Sequence, residues 1–310
     1  ASRPLTTATA GDSVTQDPDA LWATVVDAVR SVTAGVPDAA ADVGTLGVCS
    51  QYSSVVPLDA DGRAVAPIKM YLDTRGTDAC WAILERHPEA FETWVAHHGI
   101  PPIGSGLTLS HLLHFQLAEP EVHARTASYL EVMDLVNLRL TGVAAATQCT
   151  MFASQLCDNR TVGVTEYDPE LVSMSGLDAD RLPRLIPVDG TVGEVLADVA
   201  SELGLPTGVV VRAGMNDTQA GAFATAALAR PSRRGLMVGT TAVLIQSMPA
   251  MGVDLDHEIL SMPAPVPGRY VVMAENGIAG RAVERALAVL SPAVTSSEDP
   301  FAELAAALDG

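Results

Sequence analysis

Three valines run into a tight turn and then into small residues in "GVVVRAGMNDTQAGAFATAAL", positions 208–228. An unbroken β-branched run favours a strand buried on both faces. The alanines and glycines beyond Asp217 favour a helix that another backbone can approach closely. Upstream, Val192, Val195, Leu196, Val199 and Leu203 recur at helical spacing. Thr191 and Glu194 are spaced as a capping box, and Gly204 and Pro206 supply a stop. A capped helix over 191–203, a buried strand and a helix beginning at Asp217 are the parts of a parallel sheet covered by helices. The expected class is α/β.

The rest of the chain continues that alternation. Asp17-Pro18 supplies an N-cap and a first-turn proline for an amphipathic helix. Residues 43–50, 54–59 and 66–73 read as strands and 79–99 as a helix. Residues 107–142 read as mainly helical, closed by Gly142, and 168–176 as a short helix. The polar, proline-containing "ARPSRR" (229–234) reads as a linker between two domains, 1–228 and 235–310. Beyond it, 235–247 reads as a hairpin with Gly239-Thr240-Thr241 at its turn. Residues 258–264 and 269–276 continue the sheet, and a helix follows Asn276-Gly277.

Bulk properties narrow the partners. A chain of 310 residues has room for two cores. A formal charge of −19 argues against nucleic acid or an anionic bilayer. A small anion is still admissible, because backbone N–H groups or a metal ion can hold it locally. No apolar run reaches membrane length and no signal-peptide pattern is present. Cys49, Cys80, Cys149 and Cys157 form no Cys-x-x-Cys pair. They read as reduced, buried thiols of a cytoplasmic protein, the first two in apolar settings.

Several residues carry two readings each. Asp217 is either a helix N-cap or a base that takes a proton from a substrate hydroxyl. Ligands of α/β sheets sit outside the carboxyl ends of strands, and a helix N-terminus favours an anion. Gly239-Thr240-Thr241 is a plain hairpin turn or a phosphate-binding one. Asp73 and Arg75 are a surface ion pair or a pair that binds a polyhydroxylated ligand. Gln51, Tyr52 and Ser53 are an ordinary polar turn or a substrate contact. His111 and His114 share a helix face but lack a third metal ligand. His97-His98 reads as a helix C-terminus, where cations are favoured.

Taken in order, "TQDPDALW", "GVCSQYSSVVPLDADGRAVAPIKMYLDTR", "ASYLEVMDLVNLRLTGVAAAT", the long block from "EYDPELVSMSG" to "AGMNDTQAGAFA", "GLMVGTTAVL" and "YVVMAENGIAG" resemble the FGGY family of carbohydrate kinases, closest to its xylulokinase-like pentulose kinases. The resemblance implies a two-domain actin/hexokinase-like (ribonuclease H-like) fold, here with the second domain incomplete. Sugar and ATP would meet in the cleft between the domains. It implies ATP- and Mg²⁺-dependent phosphorylation of a small sugar, a ketopentose such as xylulose, and at family level a homodimer. Asp217 matches the family's base. Gln51, Tyr52 and Ser53 match the sugar turn, and Asp73 and Arg75 a sugar-side strand end. Asn216 and Thr218 flank the base, and Gly239, Thr240 and Thr241 match the turn that meets the ATP phosphates.

The departures fall in the acceptor pocket. Tyr52-Ser53 replaces Met-His, and Met70-Tyr71 stands where Trp is common. "SHLLHF" (110–115) replaces a Lys and a Trp, and Met215-Asn216 stands where Gly-Gly is usual. Neither an Asp-x-Gly-Thr phosphate loop nor a Gly-Gly adenosine loop is found, so the chain is expected to be a segment of a longer kinase. Other acceptors (gluconate, ribulose, erythritol, glycerol) and a non-catalytic sugar-binding protein on the same fold stay open.

Overall fold

The computed structural model describes residues 1–230, 232–239 and 242–276, and beyond them 279, 280, 282, 285, 286 and 289. The chain opens with a hairpin, β1 (Thr7–Ala10) and β2 (Ser13–Gln16), followed by α1 (Pro18–Gly35) and α2 (Pro37–Ala41). Then come β3 (Thr45–Leu46), β4 (Cys49–Ser50), β5 (Val55–Leu58) and β6 (Ile68–Lys69). A helical stretch follows, α3 (Thr77–Arg86), α4 (Ala90–His97), α5 (Thr108–Ala118) and α6 (Pro120–Arg125), closed by β7 (Ser128–Glu131) and α7 (Val132–Thr141). Next are β8 (Ala146–Thr147), α8 (Pro169–Ser175), β9 (Leu185–Ile186), β10 (Thr191–Glu194), α9 (Ala197–Leu203), β11 (Val210–Arg212), β12 (Met215–Asn216) and α10 (Asp217–Ala224). The last elements are β13 (Arg234–Val238), β14 (Ala242–Met248), β15 (Ile259–Pro263) and β16 (Tyr270–Asn276).

Three strand groupings place the site. An antiparallel sheet has the order β1-β2-β6-β5-β7. Parallel pairs join β3 to β11 and β4 to β12. A second antiparallel sheet has the order β13-β14-β16-β15. One core fills the space between α1, α7, α9 and β11, where Val26, Val136, Leu203 and Val211 meet. Another packs Ala222 and Ala227 and Phe152 against Val243, Ile245, Met262 and Val271 of the second sheet. That core contains residues from both sides of 229–234.

Local signals explain most boundaries. Asp17 Oδ1 accepts from the N–H groups of Asp19 and Ala20, capping α1. Asp168 caps α8 in the same way, and Gly142 and Gly176 close α7 and α8 in left-handed geometry. Among the described residues, no helix is long and apolar enough to cross a membrane.

Three expectations need correction, and a fourth, the mainly helical 107–142, holds with one strand inside it. Thr191–Glu194 is a strand, not the first turn of a helix, and the helix starts at Ala197. Thr191, Gly193 and Glu194 pair with the edge of β11, and a bulge sits between Thr191 and Gly193. Residues 107–142 contain β7, which pairs with β5 from Val55↔Glu131 to Leu58↔Ser128. The helix expected over 79–99 breaks at His87-Pro88, because proline removes a donor and drives its predecessor out of helical geometry. Cys49 is exposed, whereas Cys80, Cys149 and Cys157 are buried. Of the helix expected after Asn276-Gly277, the described residues 280, 282, 285, 286 and 289 are helical, and the Thr240-Thr241 part of the hairpin turn falls outside the described residues.

Candidate active site

The parallel pairing of β4 with β12 creates the site. Met215 lies opposite Cys49 and Asn216 opposite Ser50. Both strands then end, so the turn Gln51-Tyr52-Ser53 and the residue Asp217 emerge side by side. They open into a cleft of about 610 Å³. Gln51, Tyr52, Ser53, Tyr71, Gly106 and Leu107 form one wall. Asp217 and Thr218 stand at its base, and Met237, Val238, Gly239, Val243 and Glu275 of the second sheet form the other wall.

Asp217 is not the cap of α10. Asn216 is: its Oδ1 accepts from the Gln219 N–H at 2.8 Å, and Gln219 Oε1 accepts from the Asn216 N–H at 3.1 Å. Capping therefore leaves the Asp217 carboxylate exposed in the cleft. Its Oδ1 accepts from the Thr218 N–H at 2.8 Å. The small-residue face beyond it packs on the second sheet. At Gly221 a Cβ would overlap the Met237 side chain, so any larger residue there must displace the Met237 thioether from between α10 and β13.

The sugar-turn candidate is held from behind. Ser53 is buried in a left-handed backbone conformation, φ 57°. Its carbonyl accepts from His111 Nε2 at 3.1 Å. The Ser54 N–H donates to Glu131 Oε2 at 3.0 Å, and Thr108 Oγ1 is hydrogen-bonded to Oε1. Burial pushes Glu131 up to about 8. Burial also raises the Tyr52 phenol, reinforced by Glu275 and Asp217, so Tyr52 stays protonated.

Other predicted residues lie away from the cleft lining. Asp73 is buried and paired with Arg75, Nη2 to Oδ2 at 2.6 Å, and accepts from the Val14 N–H. Burial disfavours its charge, but the Arg75 guanidinium and the two backbone N–H groups outweigh that and hold the carboxyl below its usual range. Arg75 also meets Glu119, which bonds the buried ammonium of Lys69 at 2.6 Å. Lys69 Nζ in turn lies 2.9 Å from His114 Nδ1 and 4.0 Å from the Phe115 ring centroid. His98, expected to carry charge at a helix end, is wholly buried against Phe152, and burial lowers it to about 4. Thr240 and Thr241 fall outside the described residues.

Sequence reasoning did not single out Gly106, Leu107, Met237, Val243 or Glu275. Gly106 (φ 70°) lets its loop close on the Tyr71 carbonyl, where a Cβ would clash. Glu275 had a legible signal, a lone acid at the end of the apolar run "YVVMA".

A sequence profile of the FGGY family of carbohydrate kinases, N-terminal domain, matches residues 2–224. The chain belongs to this family. Among FGGY relatives, the xylulose kinase of Escherichia coli K12 is 27% identical over 259 residues, which cover 84% of this chain and 51% of that protein. Among solved structures, the xylulose kinase of Rhodospirillum rubrum superposes with a TM-score of 0.85 at 24% identity, covering 99% of this chain and 61% of that one. The gluconate kinase of Lactobacillus acidophilus gives 0.79 at 16% identity, covering 99% and 59%. These likenesses establish the actin/hexokinase-like fold. The chain spans about half the length of the curated FGGY relatives it matches.

Proposed function

We propose that the protein phosphorylates a hydroxyl of a small uncharged sugar or polyol with ATP, and that a ketopentose such as xylulose is the acceptor. The observation that carries this reading is Asp217: a carboxylate released from capping by Asn216, exposed where two parallel strands end, across a cleft from Gly239. A cleft of about 610 Å³ suits a small ligand. The similarity to xylulose kinases supports the choice of acceptor.

The chain's own residues supply positioning. The Gln51–Ser53 turn and Thr218 orient the acceptor. Asp217 Oδ1 is anchored on the Thr218 N–H, and the carboxylate takes the proton of the attacking hydroxyl. The Gly239 turn, with Thr240 and Thr241, receives the nucleotide phosphates. In this reading Asn216 acts through the helix it caps, and Asp73 and Arg75 brace the loop behind the acceptor wall. Among the described residues no group of three metal-ligating side chains occurs. An Mg²⁺ ion brought in with the nucleotide phosphates would find Glu275 as the cleft's carboxylate besides the Asp217 base, and would supply charge neutralisation.

Charge refines the acceptor. Asp217 and Glu275 line the cleft, and none of the described lining residues is cationic. A sugar acid would bring a third carboxylate into the same space. An ADP-release assay on the full-length gene product tests this. Turnover is expected with xylulose or another neutral acceptor from ribulose, erythritol and glycerol, and little with gluconate. Efficient turnover of gluconate would overturn the charge argument, and no ADP release with any acceptor would overturn the kinase reading.

A further inference from the structure

The turn that forms the acceptor wall contains a conformation its own sequence does not favour. Ser53 sits at φ 57°, a left-handed backbone that serine adopts only at a cost. Its hydroxyl is buried without a hydrogen-bond partner, so the side chain does nothing visible to hold that geometry. What holds it comes from α5 and β7. His111 is wholly buried and directs Nε2 at the Ser53 carbonyl at 3.1 Å. At the other end of the same peptide, the Ser54 N–H is taken by Glu131 of β7, itself tied to Thr108 at the start of α5. The peptide that follows the strained residue is thus held at its carbonyl from α5 and at its N–H from β7.

The chemistry of His111 fits a fixed donor. A carbonyl accepts only, so Nε2 carries the proton, and Nδ1 is buried with no partner. Burial lowers the ring to about 4, so it is neutral near neutral pH and this tautomer persists. Among the described residues no group of metal-ligating side chains gathers around it, and the neutral ring carries no charge.

We propose that His111 is a positioning residue for the acceptor: its Nε2–H holds the Ser53 carbonyl and so keeps the Gln51–Ser53 turn in the shape that receives the substrate hydroxyls. The proposal rests on the kinase reading only for its kinetic consequence. It adds a residue that does not touch the cleft and predicts which kinetic constant that residue controls.

Three variants test it in the full-length gene product. H111L removes the donor, H111Q places an amide N–H near the Nε2 position, and S53G removes the strain because glycine adopts this backbone freely. H111L is expected to raise KM for the acceptor about tenfold, as loss of a buried hydrogen bond would, with KM for ATP and kcat changed far less. H111Q should recover most of the loss. In the S53G background, H111L should have less than about a third of its effect on acceptor KM. Equal effects in both backgrounds, or parallel changes in both KM values and kcat, would overturn the proposal. Hydrogen exchange over residues 50–56 gives a readout independent of turnover: faster in H111L, restored in H111Q. Faster exchange in a protein that phosphorylates no acceptor would sink the kinase reading and leave the clamp standing. Unchanged exchange would sink the clamp itself.

Discussion

At the scale of residues, the buried titratable groups behind the cleft pull stability in opposite directions with pH. His98 and His111 are lowered to about 4 from an ordinary 6.5, so they stay neutral when folded. Their contribution is complete above pH 6.5 and is lost as pH falls toward 4, on the order of 1–2 kcal/mol for each ring between pH 7 and 5. Glu131 is raised to about 8 from 4.5, so its sign is reversed. Its contribution is complete below 4.5 and is lost as pH rises toward 8, and Asp134, raised by burial, adds in the same sense. Between pH 6.5 and 4.5 the two trends offset each other. E131Q removes one of them. Its Tm should therefore fall more steeply from pH 7 to 5 than that of the unmodified protein. Parallel Tm–pH curves for the two proteins would contradict the assignment of Glu131 as a buried, raised carboxyl. None of this was legible from sequence, because the burial that shifts these groups comes from tertiary packing, such as α5 on β5 and β7 and His98 on Phe152.

At the scale of elements, the α10 unit shows what sequence carries and where it stops. The strand, the turn and the small-residue face were readable from the valines, Asp217 and the alanines. The identity of the cap was not: Asn216 and Asp217 are both good N-caps, and only the reciprocal bonds with Gln219 choose between them. Thr191–Glu194 misled for a related reason. A capping-box pattern and a β-branched edge strand share residues, and the unpaired edge of β11 decided the outcome. The tight contact of Gly221 with Met237 gives a prediction at this scale. G221V should destabilise the protein by about 1–3 kcal/mol through overpacking, and M237A should recover part of the loss. Denaturant unfolding of the single and double variants checks it. Strictly additive losses would show that α10 does not bear on β13 at this point.

At the scale of the whole molecule, the cleft exists because stretches far apart in the chain converge. The order of motifs in the sequence was enough to expect an actin/hexokinase-like fold, and Gln51, Tyr52, Ser53, Asp217, Thr218 and Gly239 do share one cleft. Glu275 and the loop at Gly106 joined them through sheet packing and close backbone approach, which leave little trace in local pattern. The central claim is that Asp217 acts as the base for phosphoryl transfer in that cleft. The most direct test is the turnover of D217N with its preferred acceptor in the full-length gene product, read beside acceptor affinity. The account predicts a fall in kcat of about 10²–10⁴-fold with acceptor affinity changed only modestly. Near-normal kcat in D217N would contradict it.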